Sequence, residues 1–201
     1  IYVAGILKSM GIEKEERKVW VCDSFEGLPQ PNDAQYPADQ GDTHFQAQWL
    51  KASQETVARN FATYDLLSDQ VRFVKGFFSH TLPLVKNEIE KISILRLDGD
   101  MYESTIVALE NLYPLLEVNG YVIVDDYGLP NCRKALEDYR KFPGIKDEYV
   151  EIDKSSVYFK KTKQCDKDKV EHRFALPKPA VSQAPATTYS QPNKGASISS
   201  S

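Results

Sequence analysis

The chain has 201 residues, 41% of them hydrophobic and 11% aromatic, which is enough for one domain with a real core and leaves room for a tail. A formal net charge of −4, a pI of about 5.5 and the lack of a basic block exclude nucleic acid as the main partner. No apolar run approaches the roughly 20 residues a bilayer-spanning helix needs, so no membrane partner is expected either.

The opening segment, Ile1 to Lys8, has no signal-peptide layout and reads as the inside of a helix whose upstream part is not in this sequence. Lys18 to Cys22 reads as a strand, followed by Asp23 and a Gly/Pro loop. The helix pattern over Ser53 to Tyr64 carries Val57, Phe61 and Tyr64 at helical spacing. Val71 to Lys75 is the next strand, ended by Gly76, and Ile92 to Leu97 a third, followed by Asp98-Gly99-Asp100. A helix with Ile106, Leu109, Leu112 and Tyr113 on one face stops near Pro114 to Gly120. Tyr121 to Val124 is a fourth strand, ending in Asp125-Asp126, and a helix over Asn131 to Lys141 follows. Two short runs, Tyr149 to Ile152 and Val157 to Lys160, form a closing hairpin across Asp153 to Ser156. From Lys161 onward the composition turns polar and Pro-rich, too poor in large apolar residues to offset the entropy of ordering. The expected organisation is a folded domain over 1–160 and a disordered tail over 161–201.

Strands alternating with helices at this spacing predict an α/β domain with a mainly parallel sheet. In such sheets ligands bind beyond the carboxyl ends of the strands. Asp23, Asp98 and the Asp125-Asp126 pair all fall at such ends. Asp98 and Asp125 end consecutive strands, and neighbouring strands lie roughly 5 Å apart, so three carboxylates can converge on one point. Clustered carboxylates repel one another unless a cation offsets them. An all-oxygen set without Cys or His favours Mg²⁺, Mn²⁺ or Ca²⁺ over zinc. A divalent ion there could hold a substrate hydroxyl, lower its pKa and aim its oxygen. The competing reading is structural, because aspartates after strands also make turns and cap helices. Asp100 with Glu103 fits such a capping pair ahead of the next helix.

Other candidates are single residues. Asp23 stands where nucleotide-binding α/β folds place an acid for ribose hydroxyls. Gly76 permits close backbone approach to a flat ring, or is only a turn glycine. His44, in a polar loop between strand and helix, can serve as base for a hydroxyl or be an inert surface residue. His80 and His172 suggest nothing specific. Phe45, Trp49, Phe77 and Phe78 can wall a pocket, although core packing is the commoner fate of such residues. The three cysteines, Cys22, Cys132 and Cys165, are few, widely spaced and odd in number. They imply neither a disulfide framework nor a metal site, and the expected setting is a reducing, cytoplasmic one.

Three ordered segments carry a resemblance: Val19-Trp-Val-Cys-Asp-Ser-Phe-Glu-Gly-Leu-Pro29, Leu95-Arg-Leu-Asp-Gly-Asp-Met-Tyr-Glu-Ser-Thr105 and Gly120-Tyr-Val-Ile-Val-Asp-Asp-Tyr127. Together they make residues 1 to about 160 resemble the macrocin O-methyltransferase family, metal-dependent enzymes that methylate sugar hydroxyls of natural products. The resemblance implies a Rossmann-like methyltransferase fold with S-adenosylmethionine as methyl donor and a small-molecule hydroxyl, expected on a sugar, as acceptor. It implies Asp98, Asp125 and Asp126 as Mg²⁺ ligands, Asp23 on the ribose, and Ser24 and Gly76 near the adenosine. It also places His44 near the acceptor, leaving His44 and Asp98 as alternative bases. A homo-oligomer is compatible with all of this.

The departure is at the front. The family sets its first strand and glycine-rich cofactor loop just before the helix that opens this chain, and neither is among these residues. The expectation is an N-terminally truncated domain, two strands with an unpaired edge and weak cofactor binding. Two rival functions stay open on the residues alone. One is a metal-dependent glycosyltransferase using Asp98-Gly99-Asp100; the other is a degenerate binding protein that has lost catalysis.

Overall fold

Alternating β-branched and aromatic residues put strands where the sequence predicts them, and a computed structural model gives their arrangement. The structure describes residues 1–12, 14–141 and 145–164. The strands are β1 (Val19–Asp23), β2 (Val71–Lys75), β3 (Ile92–Leu97), β4 (Leu116–Val124), β5 (Val150–Glu151) and β6 (Val157–Lys160). The helices are α1 (Tyr2–Ser9), α2 (Gln54–Thr63), α3 (Phe78–Val85), α4 (Tyr102–Leu112) and α5 (Pro130–Lys141). Among the described residues no helix is long and apolar enough to cross a membrane.

The strands fall into two sheets. β1 and β2 pair in parallel, Val19 opposite Val71 through Asp23 opposite Lys75. β3 and β4 pair in parallel, and β6 then β5 continue that sheet antiparallel, in the order β3-β4-β6-β5. The closing hairpin is therefore where the sequence puts it. Among the described residues β1 has β2 as its one strand partner and β3 has β4, so each keeps an unpaired edge.

Burial follows the pleat. Leu95 and Leu97 of β3, Val122 and Val124 of β4, and Val157 and Phe159 of β6 point to one face and join α3, α4 and α5 in the main core. The opposite face carries Ile94, Tyr121 and Lys160 in one row and Arg96, Ile123 and Tyr158 in the next. It is open, with Ile94 54% exposed and Tyr121 40%. A second cluster joins α1 and α2 to β1 and β2 through Ala4, Ala58, Phe61, Val71 and Phe73. Trp20 and Cys22 on the other side of β1 pack against the main core.

Local differences from the sequence reading have physical causes. Helix α2 begins one residue later than expected because Ser53 is its cap, its Oγ accepting from the Thr56 N–H. Helix α3 has no counterpart in the reading, since Pro83 breaks its pattern, yet Leu82 and Val85 are buried. Strand β4 starts at Leu116, with a register shift against β3 between Ile92 and Ile94. Gly120 sits in that irregularity, where a Cβ would lie 2.9 Å from the Ser93 carbonyl oxygen. Lys161, where the polar composition begins, is fully buried, its Nζ donating to the Tyr113 and Leu116 carbonyls. The tail predicted as disordered lies, from Cys165 on, outside the described residues, as does His172.

Candidate active site at the carboxyl ends of the strands

Adjacent parallel strands bring the acids together. Carboxylate oxygens of Asp98, Asp125 and Asp126 lie within 4.8 Å of one another at the ends of β3 and β4. The Asp125 N–H still donates to the Leu97 carbonyl at 2.9 Å, which ties the two strand ends in register. Asp126 Oδ2 accepts the Asp100 N–H at 3.1 Å, holding the Asp98-Gly99-Asp100 turn. That turn needs tight packing and an uncommon backbone: Asp100 has φ 56°, and a Cβ on Gly99 would stand 2.7 Å from Ser104 Cβ. Burial raises the Asp126 carboxyl to about 6, with the charges of Asp100 and Asp98 adding to it and the Asp100 N–H opposing it. Asp100 is raised as well, by burial first.

A cation already touches this cluster. Arg96 Nη1 is 2.5 Å from Asp98 Oδ2, and its Nη2 is 2.9 Å from Asp125 Oδ1. The sequence reading passed over Arg96, although it lies two residues before Asp98 on the same strand. Side chains at i and i+2 share one face of a strand, and that spacing was the available signal.

The helix cap expected from Asp100 and Glu103 is supplied elsewhere. The α4 cap position is Met101, which has no side-chain bond to the helix. Instead Asp39 reaches in from the long loop and accepts from the Tyr102 N–H at 2.7 Å and the Glu103 N–H at 2.9 Å. Asp39 is 1% exposed. No local pattern in the sequence reveals a cap 63 residues away. Glu103 lies at the first turn, where burial raises its carboxyl.

His44 stands on the same loop, half exposed. Its Nδ1 is 2.9 Å from Asp42 Oδ1, and its backbone N–H donates to the same oxygen at 2.7 Å. The loop stands at the acidic end of the sheet, since the Asn131 side chain bonds both Asp42 and the Asp100 carbonyl. Of the aromatic candidates, Trp49 is 81% exposed, Phe78 packs against the main core, and Phe77 stacks edge-on to His80.

Asp23, Ser24 and Gly76 meet at the ends of β1 and β2. The Gly76 N–H donates to the Asp23 carbonyl at 2.9 Å. Gly76 has φ 139°, and a Cβ there would stand 2.7 Å from Thr81 Cγ2, so both backbone and packing call for glycine. Asp23 Oδ1 accepts the Phe25 N–H at 2.5 Å. Ser24 Oγ donates to the Gly27 carbonyl and accepts from the Glu26 N–H, so it shapes the turn. The thiols of Cys22 and Cys132 are both pushed up to about 12, chiefly by burial, which makes them poor nucleophiles.

With this geometry in view, likeness to known proteins is informative. Residues 1–161 match the macrocin O-methyltransferase family (TylF). The chain belongs to that family and has its Rossmann-like, S-adenosylmethionine-dependent methyltransferase fold.

Among named relatives, the demethyldecarbamoylnovobiocin O-methyltransferase of Streptomyces niveus is 44% identical over 165 residues, 81% of this chain and 62% of that protein. The mycinamicin III 3''-O-methyltransferase of Micromonospora griseorubida is 42% identical over 81% of this chain and 63% of its own length. The solved structure of the O-methyltransferase NovP superposes with a TM-score of 0.76 at 44% identity, covering 80% of this chain and 66% of that one. The calicheamicin methyltransferase CalS11, at 21% identity and a TM-score of 0.59, shares the fold. The chain spans about three-fifths of the length of the curated relatives it matches. Membership of this family sets the glycosyltransferase reading aside.

Proposed function

We propose that this chain carries the acceptor and metal side of an O-methyltransferase that moves a methyl group from S-adenosylmethionine to a hydroxyl. The acceptor class, a sugar or glycosylated small molecule, is supported by a relative 42% identical that is named as the 4'-O-methyltransferase of a rhamnosyl-tetracenomycin. The observation that supports the reading most is the convergence of three carboxylates at two adjacent strand ends.

The donor set fits a hard divalent cation such as Mg²⁺: three carboxylates, no sulfur or imidazole among them. Asp98, Asp125 and Asp126 would hold it, Arg96 moving aside. Bound there, the ion would supply Lewis acidity that favours the ionised form of an acceptor hydroxyl. His44 accepts the hydroxyl proton at Nε2, because its Nδ1–H is directed to Asp42. Asp98 is the weaker choice for base, since its carboxylate would be one of the three that hold the ion. The donor would supply an electrophilic methyl group: the C–O bond would form as the methyl–sulfur bond breaks, its electron pair staying on sulfur to leave S-adenosylhomocysteine, with the acceptor proton on His44. Asp23 would orient the ribose, and Gly76 would let the adenosine approach the β2 end.

The test is methyl transfer from labelled donor to a panel of glycosides and small phenols, with and without Mg²⁺. Asp125→Ala should abolish Mg²⁺-dependent transfer while the fold, followed by circular dichroism, survives. Full activity of that variant in chelator would overturn the metal role. Binding of S-adenosylhomocysteine with no transfer to any acceptor would favour the non-catalytic alternative.

A further inference from the structure

The loop bearing His44 is fastened to both strand ends of the acidic cluster through one half-buried amide. Asn131, the second residue of α5, donates from Nδ2 to Asp39 Oδ1 at 3.1 Å, to Asp42 Oδ2 at 3.1 Å and to the Asp100 carbonyl at 3.2 Å. Its own Oδ1 accepts the Cys132 N–H at 2.9 Å, which fixes the amide orientation. Asp39 in turn grips the first turn of α4 through two backbone N–H groups. Helix α4 follows β3, and α5 follows β4. The loop is thus indexed against the element after Asp98 and the element after Asp125-Asp126 together.

Asp42 is the link between that anchor and the imidazole. Its side chain is 8% exposed against 48% for His44, so the carboxylate is held inside while the ring reaches out. One oxygen takes the Asn131 amide and the other takes both the ring nitrogen and the backbone N–H of His44. A carboxylate with both oxygens committed cannot swing without breaking several hydrogen bonds. An ionised carboxylate oxygen can only accept, so its place 2.9 Å from Nδ1 favours the proton on that nitrogen and leaves Nε2 the lone pair. We propose that Asp42 and Asn131 are positioning residues, an Asn–Asp–His relay that fixes the tautomer and aim of His44 beside the acidic cluster. This rests on the assignment of His44 as base. The chemistry is that of any carboxylate-oriented imidazole base: the wrong tautomer presents a hydrogen to the acceptor where a lone pair is needed. In the sequence, Asp42 and Asn131 lie 89 residues apart and belong to no shared motif, so only the fold joins them.

Two measurements on the full chain test this separately. Nitrogen-15 spectra of labelled histidine, at a pH where His44 is neutral, should show His44 as the Nδ1–H tautomer. Asp42→Asn should convert it to a mixture, because an amide cannot accept from both Asn131 and the imidazole. An unchanged tautomer in the variant would overturn the proposal whether or not the chain methylates anything. In the methyl-transfer assay, Asp42→Asn should lower kcat on the order of 10-fold to 100-fold with little change in the KM of donor or Mg²⁺. In a His44→Ala background the same change should cost nothing further. Equal losses in both backgrounds would assign Asp42 a merely structural role and sink the relay. Absence of transfer by the unmodified chain would instead count against the assigned reaction, and the spectra would still decide the geometry.

Discussion

Arg96 gives the sharpest test of whether the acidic cluster is built for a cation. One guanidinium meets Asp98 at 2.5 Å and Asp125 at 2.9 Å, pairing with two of three converging carboxylates and offsetting one unit of their charge. Unit charges about 4 Å apart interact by ~1 kcal/mol in water and ~4 kcal/mol at an effective dielectric of ~20. These side chains are 52%, 44% and 39% exposed, so the watery end of that range applies. Exposed pairs contribute ~0.2–1 kcal/mol each. Arg96→Gln, with two pairs lost and the carboxylate repulsion unmasked, should therefore destabilise the chelator-treated protein at neutral pH by about 1–2 kcal/mol. For a domain of this size that is a fall of roughly 2–8 °C in Tm. A divalent ion at ~100 times its Kd adds ~2.7 kcal/mol of stability. In the unmodified chain part of that is offset by displacing Arg96; in the variant nothing needs to move. Thermal unfolding in chelator and in saturating Mg²⁺ should thus show a larger Mg²⁺-induced rise for Arg96→Gln than for the parent. Equal rises, or a variant as stable as the parent in chelator, would refute the idea that guanidinium and metal compete for one site.

The remaining predictions concern the same region. Asp126 titrates near 6 when folded against an ordinary value of about 4, so the folded state holds a proton that the unfolded chain has released. Stability of the metal-free protein should fall as pH rises from about 4 to about 6 and then level off. Mg²⁺ needs that carboxylate ionised, so calorimetry should find binding ~10-fold weaker at pH 5 than above pH 7; a pH-independent affinity would remove Asp126 from the ligand set. Asp39→Ala strips an acceptor from two helix N–H groups and the Asn131 amide, and should cost about 2–4 kcal/mol in urea unfolding. Asp39→Asn should recover part of that loss; no loss in either variant would contradict the capping role. Calorimetry of the chain should also find Mg²⁺ binding intact but S-adenosylhomocysteine weak, because among the described residues β1 and β3 have one strand partner each. Tight binding of the nucleoside would show that the β1 end is organised without one.

What the sequence displayed and what it hid divide along the range of the interactions. The strand runs, the α2 boundaries near Ser53 and Tyr64 and the hairpin across Asp153 to Ser156 are local, set by side-chain periodicity and turn chemistry. The acids at Asp98 and Asp125-Asp126 were legible because strand ends in a parallel sheet collect on one edge. Asp39 was not, since its cap depends on a loop folding back onto a helix distant in sequence. Asp42 and Asn131 were hidden for the same reason. Helix α3 was obscured by Pro83, which tertiary packing of Leu82 and Val85 overrides. Strand β4 was read short because Glu117, Asn119 and Gly120 break its apolar alternation, although Leu116 is fully buried and pairs with Ile92.

The two halves of the candidate site differ in what supports them. The acidic cluster is braced by β3, β4, the first turns of α4 and α5, and the loop through Asp39 and Asp42, all of them packed on the covered face of the larger sheet. Each of those contacts is internal to the described residues. Among the described residues, the Asp23 and Gly76 end belongs to a separate two-stranded sheet, joined to the rest by side-chain packing of Trp20, Cys22 and Val74 and not by a strand ladder. Backbone ladders fix relative position along and across a sheet, whereas side-chain packing alone tolerates sliding. The spacing between the nucleoside end and the acidic end is therefore the least constrained dimension of the site. It is also the dimension that an in-line transfer depends on, since an ångström of misplacement between donor methyl and acceptor oxygen can cost ~100-fold in rate.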